Sequence, residues 1–253
     1  MKIVCLQMDT PLGKTEENFR TAGRLVRTAP KGDVLVLPEM WNTGFFPRDG
    51  LEVLCDRDGE ETKRRIGALA REKGVNIVAG SVANLRGGKI YNTAYVFDRA
   101  GNCVASYDKT HLFSPSGEQE RFTAGDTVCR FALDNVECAL IICYDLRFPE
   151  LTRKLALSGA QVLFVPSQWG KARLGHLHAL LTGRAIENQM FVVNCNSAAF
   201  DCGGESTVLS PWGETLAQAG GGEELLTADC DLDAVAAARG AIPVFRDRRQ
   251  ELY

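Results

Sequence analysis

Three residues that could share one nucleophilic reaction each follow a short apolar run. Glu39 follows "VLVLP", Cys143 follows "ALII", and Lys109 follows the β-rich "VASYD". A cysteine needs a base or a positive neighbour before it can act as a thiolate. A glutamate could take its proton, and a lysine could supply charge and hold a developing oxyanion. Taken singly, each has an ordinary reading. Free cysteine is a common core filler, and Glu39 and Lys109 could be members of surface ion pairs. The chemistry requires that three strand ends meet, and strand ends are where sites collect in α/β domains.

The elements that would position them alternate along the chain. "VLVLP", "NIVAGSVA", "CALIICYD", "QVLFVPS" and "MFVVNCNSA" are short and almost wholly apolar, as expected of strands buried on both faces. "TEENFRTAGRLVRTAP" places Phe19, Ala22, Leu25 and Val26 on one helical face. "ETKRRIGALAREKG" does so with Ile66, Leu69 and Ala70, and Gly74 is its stop. "PELTRKLALSGA" and "GHLHALLTGRAIENQ" are further helices. "YNTAYVFDRAGNCVASYDKTHLF" and "STVLSPWGETLAQAG" read as hairpins. No low-complexity linker interrupts the chain, so the pattern predicts a single α/β domain over 1–253 with a mixed sheet. "GDVLVLPEMW" (32–41) also echoes "AQVLFVPSQW" (160–169), which points to two similar half-units, or to chance likeness between buried strands.

Composition excludes several classes. A net charge of -3 offers no basic surface for nucleic acid. No apolar run is long enough to span a membrane, and "MKIVCLQMDT" enters a strand-like run without a signal-peptide pattern. The nine scattered cysteines form no CxxC pair, so they read as reduced thiols in a cytoplasmic protein. "GKT" at 13–15 lacks the upstream glycine of a phosphate loop, since Met8 stands there. No GxSxG motif is present. Of the three histidines, His176 and His178 point to different helix faces, which argues against a metal site. His111 is placed to hold the Lys109 loop rather than to serve as a partner base. Asp145 and Arg147 read as a structural ion pair. A thiol redox enzyme would need a resolving cysteine, for which Cys138 and Cys195 are the candidates.

"LPEMWNTGF", "YDKTHLF" and "CYDLRFPEL" together resemble the three signatures of the carbon–nitrogen hydrolase, or nitrilase, superfamily. "GRAIENQMFVVNCN" and the ending "IPVFRDRRQELY" extend the resemblance over essentially the whole chain. It implies a four-layer α-β-β-α sandwich and a site needing no metal or organic cofactor. It also implies Glu39 as general base, Lys109 as oxyanion stabiliser and Cys143 as nucleophile, with the backbone N–H of Tyr144 a second oxyanion donor. A second glutamate is expected between the lysine and cysteine motifs, at Glu118, with Glu120 the runner-up. The resemblance further implies a homodimer and a small-molecule amide substrate, with "IPVFRDRRQELY" at an interface or pocket edge.

"CYDLRFPEL" and "IPVFRDRRQELY" most resemble the amidase branch that includes omega-amidases; nitrilases commonly carry Trp-Glu after the cysteine, where this chain has Tyr144 and Asp145. That branch implies ammonia release from the terminal amide of a 2-oxo acid such as 2-oxoglutaramate. The substrate carboxylate then needs a cation. "SQWGKARLGH" supplies Lys171 and Arg173, of which Arg173 is the expected ligand. Trp169, Phe45 and Phe200 are expected pocket walls. Deaminated glutathione amidase, N-carbamoyl amino acid hydrolase and nitrilase use the same chemistry, and a non-catalytic interaction module is the remaining alternative.

Overall fold

The computed structural model describes residues 1–45, 47 and 49–252. Its strands are β1 (Lys2–Gln7), β2 (Val34–Val36), β3 (Asp56–Arg57), β4 (Asn76–Arg86), β5 (Lys89–Phe97), β6 (Cys103–Asp108), β7 (Cys129–Leu133), β8 (Val136–Leu140), β9 (Val162–Ser167), β10 (Phe191–Asn196), β11 (Thr207–Leu209), β12 (Thr215–Gln218) and β13 (Glu224–Asp229). The helices are α1 (Thr15–Thr28), α2 (Leu51–Leu54), α3 (Glu60–Lys73), α4 (Pro149–Leu157), α5 (Leu174–Asn188), α6 (Asp233–Ala241) and α7 (Val244–Asp247).

These strands form two mixed sheets rather than one. The first has the order β13-β1-β2-β4-β5-β6, with β3 on β4; the second has β12-β11-β10-β9-β8-β7. In chain order, β1, β2, β4, β5 and β6 run through the same arrangement as β8 to β12, and β13 and β7 close matching edges. In each half the first three of these strands are parallel and joined through helices. The echoed segments therefore occupy equivalent places, β2 in one sheet and β9 in the other.

Their apolar composition follows from four-layer packing. On β1 and β2, Ile3, Cys5, Val34 and Val36 join the apolar core shared with the second sheet. The alternate residues Val4, Leu6, Leu35 and Leu37 pack with Phe19, Leu25, Val26, Ile66 and Leu69 of α1 and α3. Strands covered on both faces cannot alternate polar and apolar residues. On the far side, Leu155 and Ala156 of α4 and Leu177, Leu181 and Ala185 of α5 cover the second sheet. Helices α1 and α3 show their expected buried stripes, and α3 ends on Gly74 in the left-handed conformation. No helix among the described residues is long and apolar enough to cross a membrane.

Candidate active site

The Glu39 turn is held by the neighbouring strand. A bulge in β4 brings Ser81 against it. The Ser81 hydroxyl accepts the Met40 N–H at 3.0 Å, and the Ser81 N–H donates to Pro38 O at 3.2 Å. Trp41 Nε1 donates to Ala79 O at 2.7 Å. Gly80, at φ +58°, passes so close to the Pro38 carbonyl that any Cβ would collide with it. This clamp aims the Glu39 carboxylate inward, where it is fully buried.

Lys109 leaves the end of β6 and is also fully buried. Its Nζ donates to Glu39 Oε1 at 2.9 Å and to Glu118 Oε2 at 2.9 Å. The surface ion-pair reading of Glu39 and Lys109 is thereby replaced by a buried one. Glu118 opens a short 3₁₀ turn and accepts the Phe113 N–H at 2.6 Å, whereas Glu120 is exposed. Burial alone would push Lys109 down, but the charges of Glu39 and Glu118 outweigh it and hold the ammonium above the usual lysine range. Asn92 of β5 donates to Glu39 Oε1 at 2.9 Å and to Glu118 Oε1 at 3.1 Å. The Gln168 N–H, beyond β9, donates to Glu39 Oε2 at 2.9 Å. Sequence reasoning singled out neither Asn92 nor Gln168. The echo of "LPEMW" in "PSQW" was the available signal for Gln168.

Cys143 lies beyond β8, which ends at Leu140. It opens a 3₁₀ turn with φ +46°, a rare conformation for a non-glycine residue. Asp145 secures that turn: its carboxylate accepts the Ile142 N–H at 2.9 Å. The same carboxylate accepts from Tyr107 OH at 2.8 Å, Thr110 Oγ1 at 3.1 Å and the His111 N–H at 2.9 Å. His111 Nδ1 lies 2.8 Å from it, and the imidazole stacks on Phe148. His111 thus holds the loop after Lys109, and Asp145 ties that loop to the Cys143 turn.

The expected Asp145–Arg147 ion pair is absent. Asp145 is taken by donors from the Lys109 side, and Arg147 instead lies over the Trp169 ring at 4.8 Å and reaches His176 Nδ1 at 3.5 Å. Burial holds the Cys143 thiol well above its ordinary range, the Glu39 charge adds to this, and Lys109 and the Gln168 N–H oppose it. A thiol held up in this way needs base assistance to attack.

Cys143 lies on the wall of a cavity of about 670 Å³, together with Tyr144, Arg147, Gln168, Trp169 and Arg173. Phe45 and Phe200 line it too, Phe200 being 89% exposed. The Tyr144 ring meets Phe113 and Phe148 edge-on, and Trp169 Nε1 donates to Arg173 O at 2.8 Å. Arg173 lies over the Phe113 ring and Lys171 over Phe200. Among the described residues, no carboxylate pairs with Arg147 or Arg173. The described part of the C-terminal segment lies outside this wall, and its last residue, Tyr253, lies outside the described residues. Cys138 and Cys195, the candidate resolving thiols, are bonded to the backbone carbonyls of Val136 and Val36 and do not line the cavity. Cys202 does line it, but burial pushes its thiol up to about 12.

A four-layer sandwich that sets a thiol against a buried glutamate and lysine at its strand ends is the architecture of a cysteine-dependent hydrolase. The carbon-nitrogen hydrolase family matches residues 2–240, and the chain belongs to that family. It is 42% identical over 256 residues to a 2-oxoglutaramate amidase of Bacillus subtilis, covering 99% of this chain and 98% of that one. It is 33% identical over 271 residues to the omega-amidase NIT2 of Bos taurus, covering 100% and 96%. The crystal structure of a carbon-nitrogen hydrolase from Helicobacter pylori superposes with a TM-score of 0.93 at 27% identity, covering 100% of this chain and 96% of that one.

Proposed function

We propose that this protein is an amidase that hydrolyses the omega-amide of a small 2-oxo acid, of the 2-oxoglutaramate type, to the acid and ammonia. The observation that carries this reading is the placement of Cys143, beside the Glu39–Lys109–Glu118 cluster, in one cavity with Arg173, which makes no ion pair among the described residues. The 2-oxoglutaramate amidase of B. subtilis, similar over nearly the full length of both chains, supports the same substrate class.

In this mechanism Glu39 takes the Cys143 proton as sulfur attacks the amide carbon. Lys109 Nζ and the Tyr144 N–H receive the oxyanion. Collapse of the tetrahedral adduct breaks the C–N bond, and Glu39 passes its proton to the nitrogen, which leaves as ammonia. The acyl group stays on Cys143 as a thioester. Glu39 then draws a proton from water, the hydroxide adds to the thioester carbon, and the thiol is restored with that proton. Glu118 fixes Lys109 throughout. Arg173 binds the substrate carboxylate, and Trp169 and Phe45 bound its chain.

We further infer that residues 1–253 act as one domain, in the cytoplasm and as a homodimer. Support for the dimer is the exposed apolar pair of Ile186 on α5 and Trp212 in the β11–β12 turn, where Ile186 lies against Gly213. Sedimentation equilibrium tests it.

The decisive assay is ammonia release from 2-oxoglutaramate, beside glutamine, succinamate, an N-carbamoyl amino acid and a nitrile, with Cys143→Ala as control. Rapid release from the oxo-acid amide alone is the expected result. Turnover of another compound in its place would overturn the substrate class while leaving the thiol chemistry standing.

A further inference from the structure

We propose that Asn92 is a positioning residue of this site, a neutral double donor that holds Glu39 and Glu118 in place on either side of Lys109. The inference rests on the reading of Glu39 as the general base.

The cluster has an unusual charge balance. Two carboxylates share one ammonium, so it carries one excess negative charge with every side chain out of contact with water. Carboxylates this close repel, and each needs donors to remain charged inside a protein. Lys109 alone cannot saturate four oxygens. The backbone N–H of Gln168 serves Glu39 and that of Phe113 serves Glu118. Among the described residues, Asn92 Nδ2 is the one group besides Lys109 that bonds to both glutamates, one proton to each.

The orientation of the Asn92 amide supports this role. Its Oδ1 is buried with no hydrogen-bond partner among the described residues. Turning the amide over would face that oxygen toward two carboxylates, so the unpartnered acceptor is the consequence of aiming the nitrogen at them. A buried acceptor left unpaired costs stability, and the arrangement is explained by what the nitrogen does. Asn92 also accepts the Lys109 N–H on its main-chain oxygen at 2.9 Å, so one residue sets both the backbone and the partners of the lysine. Like Glu39, Lys109 and Glu118, it lies behind the cavity lining rather than on it.

A neutral donor suits the reaction better than a second cation. A lysine or arginine at this place would cancel the excess charge and leave Glu39 a weaker base. An amide supplies the hydrogen bonds without that charge.

The test is the pH dependence of kcat and KM for Asn92→Ala and Asn92→Asp, using whichever amide the wild type turns over. In Asn92→Ala the acid-side midpoint of kcat/KM should rise by about one pH unit, kcat at pH 7 should fall about 10–100-fold, and KM should stay within about threefold. Asn92→Asp, similar in shape, adds a third carboxylate and should move the midpoint further in the same direction. Should the alanine variant not fold, the aspartate variant carries the test alone, with near-UV circular dichroism to check packing. An unmoved midpoint in a folded variant overturns the proposal, as does a raised KM with kcat unchanged. Glu39→Gln separates the two levels. If it is inactive while the Asn92 variants keep the wild-type profile, only the Asn92 inference fails; if it turns over normally, the base reading and the inference fail together.

Discussion

The buried floor of the site and its open wall are built on opposite principles. At the floor, Glu39, Lys109, Glu118 and Asn92 are shut off from water, and every carboxylate oxygen there accepts a hydrogen bond. At the wall, Arg147, Arg173 and Phe45 are only partly covered or open, and Phe200 is 89% exposed. The floor must present charge to a developing transition state without reorganising, which calls for groups fixed by burial and full bonding. At the wall, no carboxylate among the described residues pairs with Arg147 or Arg173, which suits the admission and release of an anionic substrate. Chemistry and choice of substrate are thus separated by depth, and disturbing each layer should give a different kinetic signature.

The largest effect is expected at Cys143, the proposed nucleophile. Cys143→Ala should lose at least about 10⁴-fold in turnover, while substrate binding, read by calorimetry, persists. Lys109→Met comes next. It removes the proposed oxyanion donor, at an expected cost of ~10²–10³ in kcat, and leaves two carboxyl groups buried without their cation. Its folding stability, read by urea unfolding, should fall by about 3–5 kcal/mol. An equally stable variant would show that the pairing contributes little to the fold.

Glu39→Gln sharpens the comparison, because two readouts should move oppositely. Turnover should fall by about 10²–10⁴-fold. Yet burial and the Glu39 charge hold the Cys143 thiol up while Lys109 draws it down, so deleting that charge shifts the thiol toward its ordinary range. Iodoacetamide should therefore alkylate Cys143 faster at pH 8 in the variant than in wild type, measured in a Cys103→Ser background to remove the exposed thiol. Slower alkylation would mean that Glu39 activates the thiol toward every electrophile.

At the wall the effects should be smaller and confined to KM. Arg173→Ala should raise KM for 2-oxoglutaramate by roughly 10–100-fold, the worth of a charge-assisted hydrogen bond, with kcat little changed. An uncharged amide of similar length should be unaffected. Phe200→Ala, at the exposed rim, should change either constant by less than about threefold.

Much of this site was legible in the chain. Strands β2, β4, β9 and β10 were marked by short apolar runs, and helices α1 and α3 by their apolar stripes. Glu39, Lys109 and Cys143 stood out because each ended a β-rich run. The site elements that escaped detection were relations between distant segments. Asn92 looked like an unremarkable polar residue within a strand, and nothing local says that its amide reaches two glutamates. Arg147 was assigned to Asp145, two residues away, because proximity in sequence favours that pair. The fold gives Asp145 to Tyr107, Thr110 and His111 instead, and so turns Arg147 toward the cavity wall.

The sequence by itself determined the local elements and the reactive groups at their ends, because apolar runs, helical stripes and glycine stops act over a few residues. The tertiary structure decided which of those groups share one water-free space. It set Glu118 rather than Glu120 against Lys109 and packed the two related half-units face to face as the two sheets of the expected sandwich. Those outcomes depend on how two sheets pack face to face, and the desolvation and charge pairing that define the site exist only once that packing has formed.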